Sequence, residues 1–162
     1  MKKTIIPLLL IITLLLSSCG NSKSIKEANY ETNKLIYLSI LSSSTKDYFE
    51  EGAKDLSFEI TDNTFKLIAP EDSNFTITGM EYEDVTYEEF DSEGKIDTGA
   101  PESIDISGYE SLTSYEVLSN GEKTGFRLYE LDDKKWISHY NIINEDTEFL
   151  DYVFEIKEKA DN

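Results

Sequence analysis

The single histidine of the chain, His139, is the first residue to consider for catalysis. Nucleophilic catalysis of the Ser-His-Asp kind needs an imidazole beside the nucleophile, and no other residue here supplies one. His139 stands in an aromatic stretch between Trp136 and Tyr140, which favours a structural position in a strand or at its rim. The chain has no Gly-x-Ser-x-Gly elbow and no phosphate-binding glycine-rich loop. We therefore predict no catalytic residue and no enzymatic activity.

Carboxylates are abundant, with 33 Asp and Glu against 15 Lys and Arg. Paired carboxylates hydrolyse glycosidic bonds in many enzymes, so a carboxylate-dependent hydrolase stays open as an alternative. The segment from Asp91 to Asp97 is similar to a calcium loop, but Gly94 stands at the fourth position instead of the sixth. A solvated turn explains this segment better. With one histidine and one cysteine, the chain also predicts no transition-metal site and no cofactor.

The ten tyrosines and the single tryptophan are the remaining source of binding chemistry. Each combines a large ring with a polar tip, which suits a half-wet sheet face or an aromatic ligand surface. Ordinary sheet packing explains most of them. The residues that we assign to a ligand-binding mouth are Trp136, Tyr140 and Tyr152.

The single cysteine, Cys19, follows Lys2 and Lys3 and an apolar stretch over residues 5–16 that is too short to span a membrane. The tetrad Leu16-Ser17-Ser18-Cys19 resembles the lipobox of bacterial lipoproteins. This resemblance implies that a signal peptide, residues 1–18, is removed and that Cys19 carries a diacylglyceryl group. The lipid would anchor the protein on the extracytoplasmic face of the cell membrane. An ordinary secretory signal followed by a chance cysteine is the alternative.

The charge of the chain limits its partners. The formal net charge is -18, and residues 1–18 contribute only Lys2 and Lys3, so the chain from Cys19 onward carries -20. Phosphate recognition depends on Lys and Arg, and we therefore exclude a nucleic-acid binder. Anionic lipids repel such a body within a Debye length of about 8–10 Å, and residues 19–29 are predicted to form a flexible tether. A basic protein partner would be attracted, although a solvated acidic surface also explains the charge.

Residues 30–162 are predicted to form one β-rich domain. Apolar alternation predicts eight or nine short antiparallel strands that close into a lipocalin-like barrel, with a β-sandwich as the alternative. Asn120-Gly121 is the strongest hairpin signal, and Asp62-Asn63 predicts a type I′ loop with positive φ. A short helix over 46–51 and a bulge at Gly79 complete the prediction. The predicted strands cover 34–42, 56–60, 64–68, 75–87, 104–106, 112–119, 125–131, 136–143 and 150–157.

The order of several segments resembles the small lipocalin-like lipoproteins of bacteria. The similarity covers most of the chain after the tether, but the tryptophan that lipocalins carry near the start of the first strand is missing here. The resemblance implies an eight-stranded barrel with room for one small ligand at its mouth. The segments that carry it are Lys34-Leu35-Ile36-Tyr37, Glu50-Glu51-Gly52, Leu56-Ser57-Phe58-Glu59-Ile60, Phe65-Lys66-Leu67 after the Asp62-Asn63 turn, and the terminal run from Tyr152 to Lys157.

Two functional hypotheses follow from these observations. The first is a membrane-anchored, non-enzymatic binding or interaction module that holds a small apolar ligand in the barrel, with the three mouth aromatics around it. The second is an immunity or exclusion lipoprotein whose acidic surface binds a basic toxin or phage protein. A filled barrel would favour recognition of a protein through loops and acidic surface. Such an interior would be packed with Phe58, Leu67, Phe126 and Phe154.

Overall fold

The computed structural model describes residues 26–40, 55–70, 79–98, 103–144 and 148–160. The predicted signal peptide, Cys19, most of the tether, the helix over 46–51 and the beginning of the 75–87 strand lie outside these residues. The described residues are mainly β. Their strands are β1 (Ala28–Ile40), β2 (Ser57–Ile60), β3 (Thr64–Ile68), β4 (Met80–Glu83), β5 (Val85–Phe90), β6 (Lys95–Ile96), β7 (Ile104–Asp105), β8 (Leu112–Ser119), β9 (Glu122–Leu131), β10 (Lys134–Asn144) and β11 (Glu148–Glu158).

Nine of these strands form one antiparallel sheet in the order β4-β3-β2-β1-β11-β10-β9-β8-β5. β4 and β5 stand at the two ends of this order, yet they follow each other in the chain and meet at Asp84. Two backbone hydrogen bonds connect this β4–β5 junction to its neighbours on either side. Val85 N donates to Asn63 O in the β2–β3 turn (3.1 Å), and Asn120 N of the β8–β9 turn donates to Asp84 O (3.2 Å). The sheet is therefore a nearly closed barrel, and the predicted antiparallel β fold is confirmed.

A break in apolar alternation lies at Asp84. Tyr82 in β4 and Val85 in β5 both pack against the interior, although the parity of their positions differs. Asp84 has a φ of 49°, and this left-handed residue resets the alternation. The bulge predicted at Gly79 depends on the preceding strand residues 75–78, which lie outside the described residues.

The hairpin turns illustrate two different ways to reverse a strand. Asn120-Gly121 is confirmed as a turn with positive φ at both residues, 52° and 79°. The type I′ prediction for Asp62-Asn63 is wrong, because neither residue has a positive φ. Instead, the Thr61 hydroxyl oxygen accepts hydrogen bonds from the backbone N–H groups of Asn63 (3.2 Å) and Thr64 (2.8 Å). A side chain thus stabilises this turn in place of a left-handed backbone.

The barrel interior is filled with aromatic and aliphatic side chains. The Phe65 ring lies 4.7 Å from the Phe126 ring and 6.2 Å from the Phe58 ring, measured between centroids. A void of about 10 Å³ beside Tyr115 and Leu128 holds at most about one water molecule. The four residues expected in a packed barrel are all buried in this core: Phe58, Leu67, Phe126 and Phe154.

The two ends of the barrel are set by the alternating direction of its strands. At the end that we call the base, the chain enters at Lys26 and leaves after Glu158, and these side chains form an ion pair of 2.6 Å. The Tyr30 hydroxyl donates to the backbone oxygen of Lys26 (3.0 Å) at the same end. The opposite end, the distal end, carries the ends of β1, β3 and β10.

A segment that lies between β5 and β8 in the chain packs against the outside of the barrel. We call its described residues, 91–98 and 103–111, the cover. Within the cover β6 pairs with β7, and Ile96 and Ile106 are fully buried. They pack on outward-facing side chains of β9–β11, so this part of the wall is buried on both faces. The barrel residues of this outer cluster are Tyr129, Leu131, Trp136 and Val153.

Candidate binding cleft on the outer wall

The three aromatics predicted to line one ligand mouth lie in three different environments. Trp136 is buried in the outer cluster beneath the cover, with the Tyr109 ring edge-on at 5.8 Å. Tyr152 lies inside the barrel, 5.2 Å from the His139 ring. Tyr140 points outward and is 45% exposed. The structure therefore does not bring these side chains together at one mouth.

His139 belongs to the barrel core. Its ring stacks on Phe126 with 3.9 Å between centroids and an angle of 22°. Burial disfavours the imidazolium form and lowers the pKa of His139 to about 4. The preceding Ser138 points to the opposite face of the sheet, since successive strand residues alternate. Ser138 and His139 are thus not arranged as a nucleophile and its base.

A cleft of about 560 Å³ lies on the outer wall between the cover and strands β8–β11. This volume falls within the range of about 300–1,000 Å³ that small-molecule sites occupy. The lining combines carboxylates, cations, hydroxyl groups and one open aromatic ring. The residues that define its chemistry are Asp97 of the cover and Glu116, Arg127, Ser138, Tyr140 and Asp151 of the barrel.

Cross-strand register brings the barrel residues of the cleft together. Glu116 of β8 pairs with Arg127 of β9, and Arg127 pairs with Ser138 of β10. One step toward the distal end, Tyr140 of β10 pairs with Asp151 of β11. Paired residues share a face of the sheet, so four neighbouring strands contribute to one outward-facing surface.

An ion-pair network fixes the β8–β9 side of the cleft. Glu116 is buried, and its two carboxylate oxygens accept hydrogen bonds from Arg127 Nε at 3.3 and 3.4 Å. Lys123 Nζ donates to the same carboxylate at 3.0 Å. The Arg127 guanidinium also lies 5.2 Å from the centre of the Phe90 ring. Both cations of this side are therefore engaged with an acidic partner.

Tyr129 connects the cleft to the outer cluster. Burial raises the pKa of its hydroxyl, and the neighbouring Ser138 and Arg127 side chains oppose that rise. The Phe90 ring packs edge-on against Tyr129 at 6.2 Å. The floor of the cleft is thus continuous with the packed cluster beneath the cover.

Gly125 allows the backbone of β9 to approach β10 at the distal side of the cleft. Its φ is 85°, and a Cβ built there would lie 2.5 Å from the backbone oxygen of Tyr140. The β8–β9 register shifts nearby, between Glu116 and Leu118. Only glycine combines this positive φ with so close an approach to the Tyr140 backbone without strain.

The carboxylates of the cleft are spread across the sheet. Glu116 and Asp151 lie on β8 and β11, three strand spacings apart, so their backbones are separated by about 14 Å. A glycosidase pair has its carboxyl groups about 5–9.5 Å apart, and a hydrolase would need a closer arrangement. Within the described residues, no group of three or more His, Cys, Asp or Glu side chains could hold a metal ion.

Sequence reasoning missed Glu116, Arg127, Ser138 and Asp151. Each is one of several polar residues in its strand, and the strand pattern alone does not say which of them become neighbours. The useful signal was Gly125, because an isolated glycine in a strand indicates a bulge and therefore a change of register.

Comparison of the chain with protein-family models, with curated proteins and with solved structures gives no match. In the described part of the chain, no helix has the length and apolar character needed to cross a bilayer.

Proposed function

We propose that this chain is a membrane-anchored bacterial lipoprotein whose barrel is a non-enzymatic interaction module that binds its partner on the outer surface. The filled interior is the observation that supports surface binding. The core rings of Phe65 and Phe126 have no exposed surface, and the void beside Tyr115 and Leu128 is about 10 Å³. An apolar ligand inside would have to displace core side chains, whose packing contributes several kcal/mol each, about 3–5 for a phenylalanine.

The proposed anchor also orients the barrel. The lipobox resemblance makes Cys19 the lipid attachment site, and Lys26 at the base follows it closely in the chain. The base therefore faces the membrane in this proposal, and the distal end points away from it. The cleft lies on the side wall, where a partner outside the membrane reaches it without touching lipid.

A second candidate is an immunity or exclusion lipoprotein that binds a basic toxin or phage protein. Residues 81–93 favour it, because they contain seven Asp and Glu and no Lys or Arg. All seven side chains are exposed. Among the described ion pairs, Lys66 reaches Glu81 (3.1 Å) and Lys95 reaches Glu93 (3.6 Å). Such a surface accelerates association with a basic protein and makes it sensitive to salt.

The anchor is tested by replacing Cys19 with Ala in the full chain. We expect this variant to appear in the soluble exported fraction, while a Ser22→Ala control in the tether stays with the membrane. Retention of Cys19→Ala in the membrane as strongly as the unmodified chain contradicts the proposal.

The closed interior is tested with oleic acid and benzene on the Cys19→Ala chain from residue 19 onward. We expect no saturable shift in the nuclear magnetic resonance signals of the inward-facing Leu67 and Ile137 methyl groups. The matched control is Phe126→Ala, whose new cavity should admit benzene. Saturable binding of oleic acid to the unmodified interior would support the apolar-ligand hypothesis instead.

A further inference from the structure

Tyr140 and Asp151 form an unusual pair on the outer wall. They are directly opposite each other on β10 and β11 and both line the cleft. Such partners have Cβ atoms about 4.5–5.5 Å apart. Asp151 is only 2% exposed, whereas Tyr140 is 45% exposed. The cleft thus has a carboxylate at its floor beside an open aromatic ring.

The exposed ring is an exception in this molecule. Among the described residues, the large apolar side chains that remain exposed are Tyr140 and Ile68. Ile68 lies at the end of a strand, but Tyr140 lies within β10 and at the wall of a cavity. Packing within the chain leaves much of the Tyr140 ring available to another molecule.

The described lining of the cleft contains three carboxylates and two basic side chains, so its formal charge is 2 - 3 = -1. The basic residues Lys123 and Arg127 both bind Glu116 on the β8–β9 side. Asp97 of the cover is the third carboxylate of the cleft, beside Glu116 and Asp151. The whole chain from Cys19 onward carries -20, which raises the local concentration of cations further.

We propose that Tyr140 and Asp151 recognise one arginine side chain of a basic protein partner. The Asp151 carboxylate accepts charge-assisted hydrogen bonds from the guanidinium, and the Tyr140 ring stacks on its plane. Arginine fits better than lysine, because the guanidinium is planar and more weakly hydrated. This inference rests on the proposed function, since it names the chemistry by which the outer surface binds its partner.

The test uses the Cys19→Ala chain from residue 19 onward and the peptide acetyl-Gly-Arg-Gly-amide. The neutral control is the same peptide with citrulline in place of arginine. We expect saturable amide shifts centred on Tyr140 and Asp151 for the arginine peptide, with an affinity at least about tenfold above that of the citrulline peptide. Equal binding of the two peptides, or no saturable binding, overturns the proposal.

Variants locate the site. Asp151→Asn should weaken arginine binding about tenfold or more, and Tyr140→Ala should weaken it severalfold. Glu88→Gln, an exposed change on β5, is the matched charge control and should alter it less than about twofold. If Asp151→Asn does not fold, the exposed Tyr140→Ala decides the question. An effect of Glu88→Gln as large as that of the cleft variants would indicate diffuse charge attraction and overturn the assignment.

Failure of this inference is distinguishable from failure of the proposed function. If the arginine peptide does not bind and oleic acid does not enter the barrel, the assignment of the cleft is wrong, but binding at another part of the surface is still proposed. Entry of oleic acid into the barrel removes the proposed surface function whatever the arginine peptide does.

Discussion

The two halves of the barrel wall use the same strand alternation under different conditions. In the open half, β2–β5, inward residues are buried and outward residues face water, as in β3 where Phe65 and Leu67 alternate with exposed or half-buried neighbours. In the covered half, β8–β11, several outward positions are buried as well, and β8 has five consecutive buried residues from Ser114 to Leu118. The cover therefore turns an ordinary barrel wall into a three-layered region.

This difference explains where polar chemistry accumulates. An outward charge in the open half stays in water, as for Lys66 and Glu81, whose side chains are 38% and 56% exposed. In the covered half the outward positions include the buried Glu116, Ser138 and Asp151. Buried polar groups need partners, and those partners order the site. The cleft lies beside these positions, between Asp97 of the cover and the outer wall.

The largest loss of stability should be common to both halves of the wall, because their inner faces share one core. Phe126→Ala in the covered half and Phe58→Ala in the open half should each lower the free energy of unfolding by about 3–5 kcal/mol. Each substitution leaves a cavity among buried rings. Urea denaturation measures both. A loss below about 1 kcal/mol for either variant would show that the corresponding half does not belong to the common core.

Acid should destabilise the covered half through His139. Its pKa is about 4 in the folded barrel and 6.5 in its ordinary state, so between these pH values the unfolded chain binds a proton that the folded chain does not. The free energy of unfolding should therefore fall as the pH drops from 6.5 to 4, by about 3 kcal/mol from this group.

The control for this pH effect is His139→Gln, which cannot take up the proton. Urea denaturation at several pH values should give a shallower dependence for the variant than for the unmodified chain. Identical slopes would mean that the His139 imidazole is not kept neutral by the core.

The outer faces should respond differently to the loss of an apolar side chain. Leu131→Ala removes a fully buried member of the outer cluster and should cost about 2–3 kcal/mol. Ile68→Ala changes a position of the open half that is 39% exposed and should cost less than about 1 kcal/mol.

The fluorescence of Trp136, which lies in the outer cluster, provides a local measurement of the same comparison. We expect a red shift for Leu131→Ala and none for Ile68→Ala, because only the first loosens the contact with the cover. Equal stability losses and equal spectra would remove the distinction between the halves.

The smallest effect concerns ion pairs. Arg127→Met removes a partner of buried Glu116 and should destabilise the chain by about 2 kcal/mol, since a buried carboxylate loses hydrogen bonds. Lys66→Met breaks an exposed pair with Glu81 and should change stability by less than about 0.5 kcal/mol. Thermal unfolding in low and high salt measures both. A larger loss for Lys66→Met would reverse the comparison.

The sequence by itself determined the local elements. Apolar alternation predicts β3 at Thr64–Ile68 and β8 at Leu112–Ser119 with the observed bounds, because successive residues of a strand point to opposite faces of the sheet. Asn120-Gly121 predicts a turn, because both residues tolerate positive φ. The pairing of neighbouring strands into an antiparallel barrel follows from short connections between such elements.

Only the tertiary structure decided which face of each strand is inside. In β10 both faces carry large apolar residues, so alternation alone cannot tell that Trp136 packs outside while Ile137 packs inside. The register between strands decides this, and it depends on backbone irregularities such as Gly125 and Asp84.

The cleft depends on the same long-range information. Glu116 and Asp151 are far apart in the sequence and become parts of one lining through four paired strands and a cover that folds over them. Turn chemistry acts over a few residues and is readable in the chain. The cleft depends on the registers of all the strand pairs between β8 and β11. A shift of one residue in any of these pairings would turn the side chains of the shifted strand to the opposite face of the sheet.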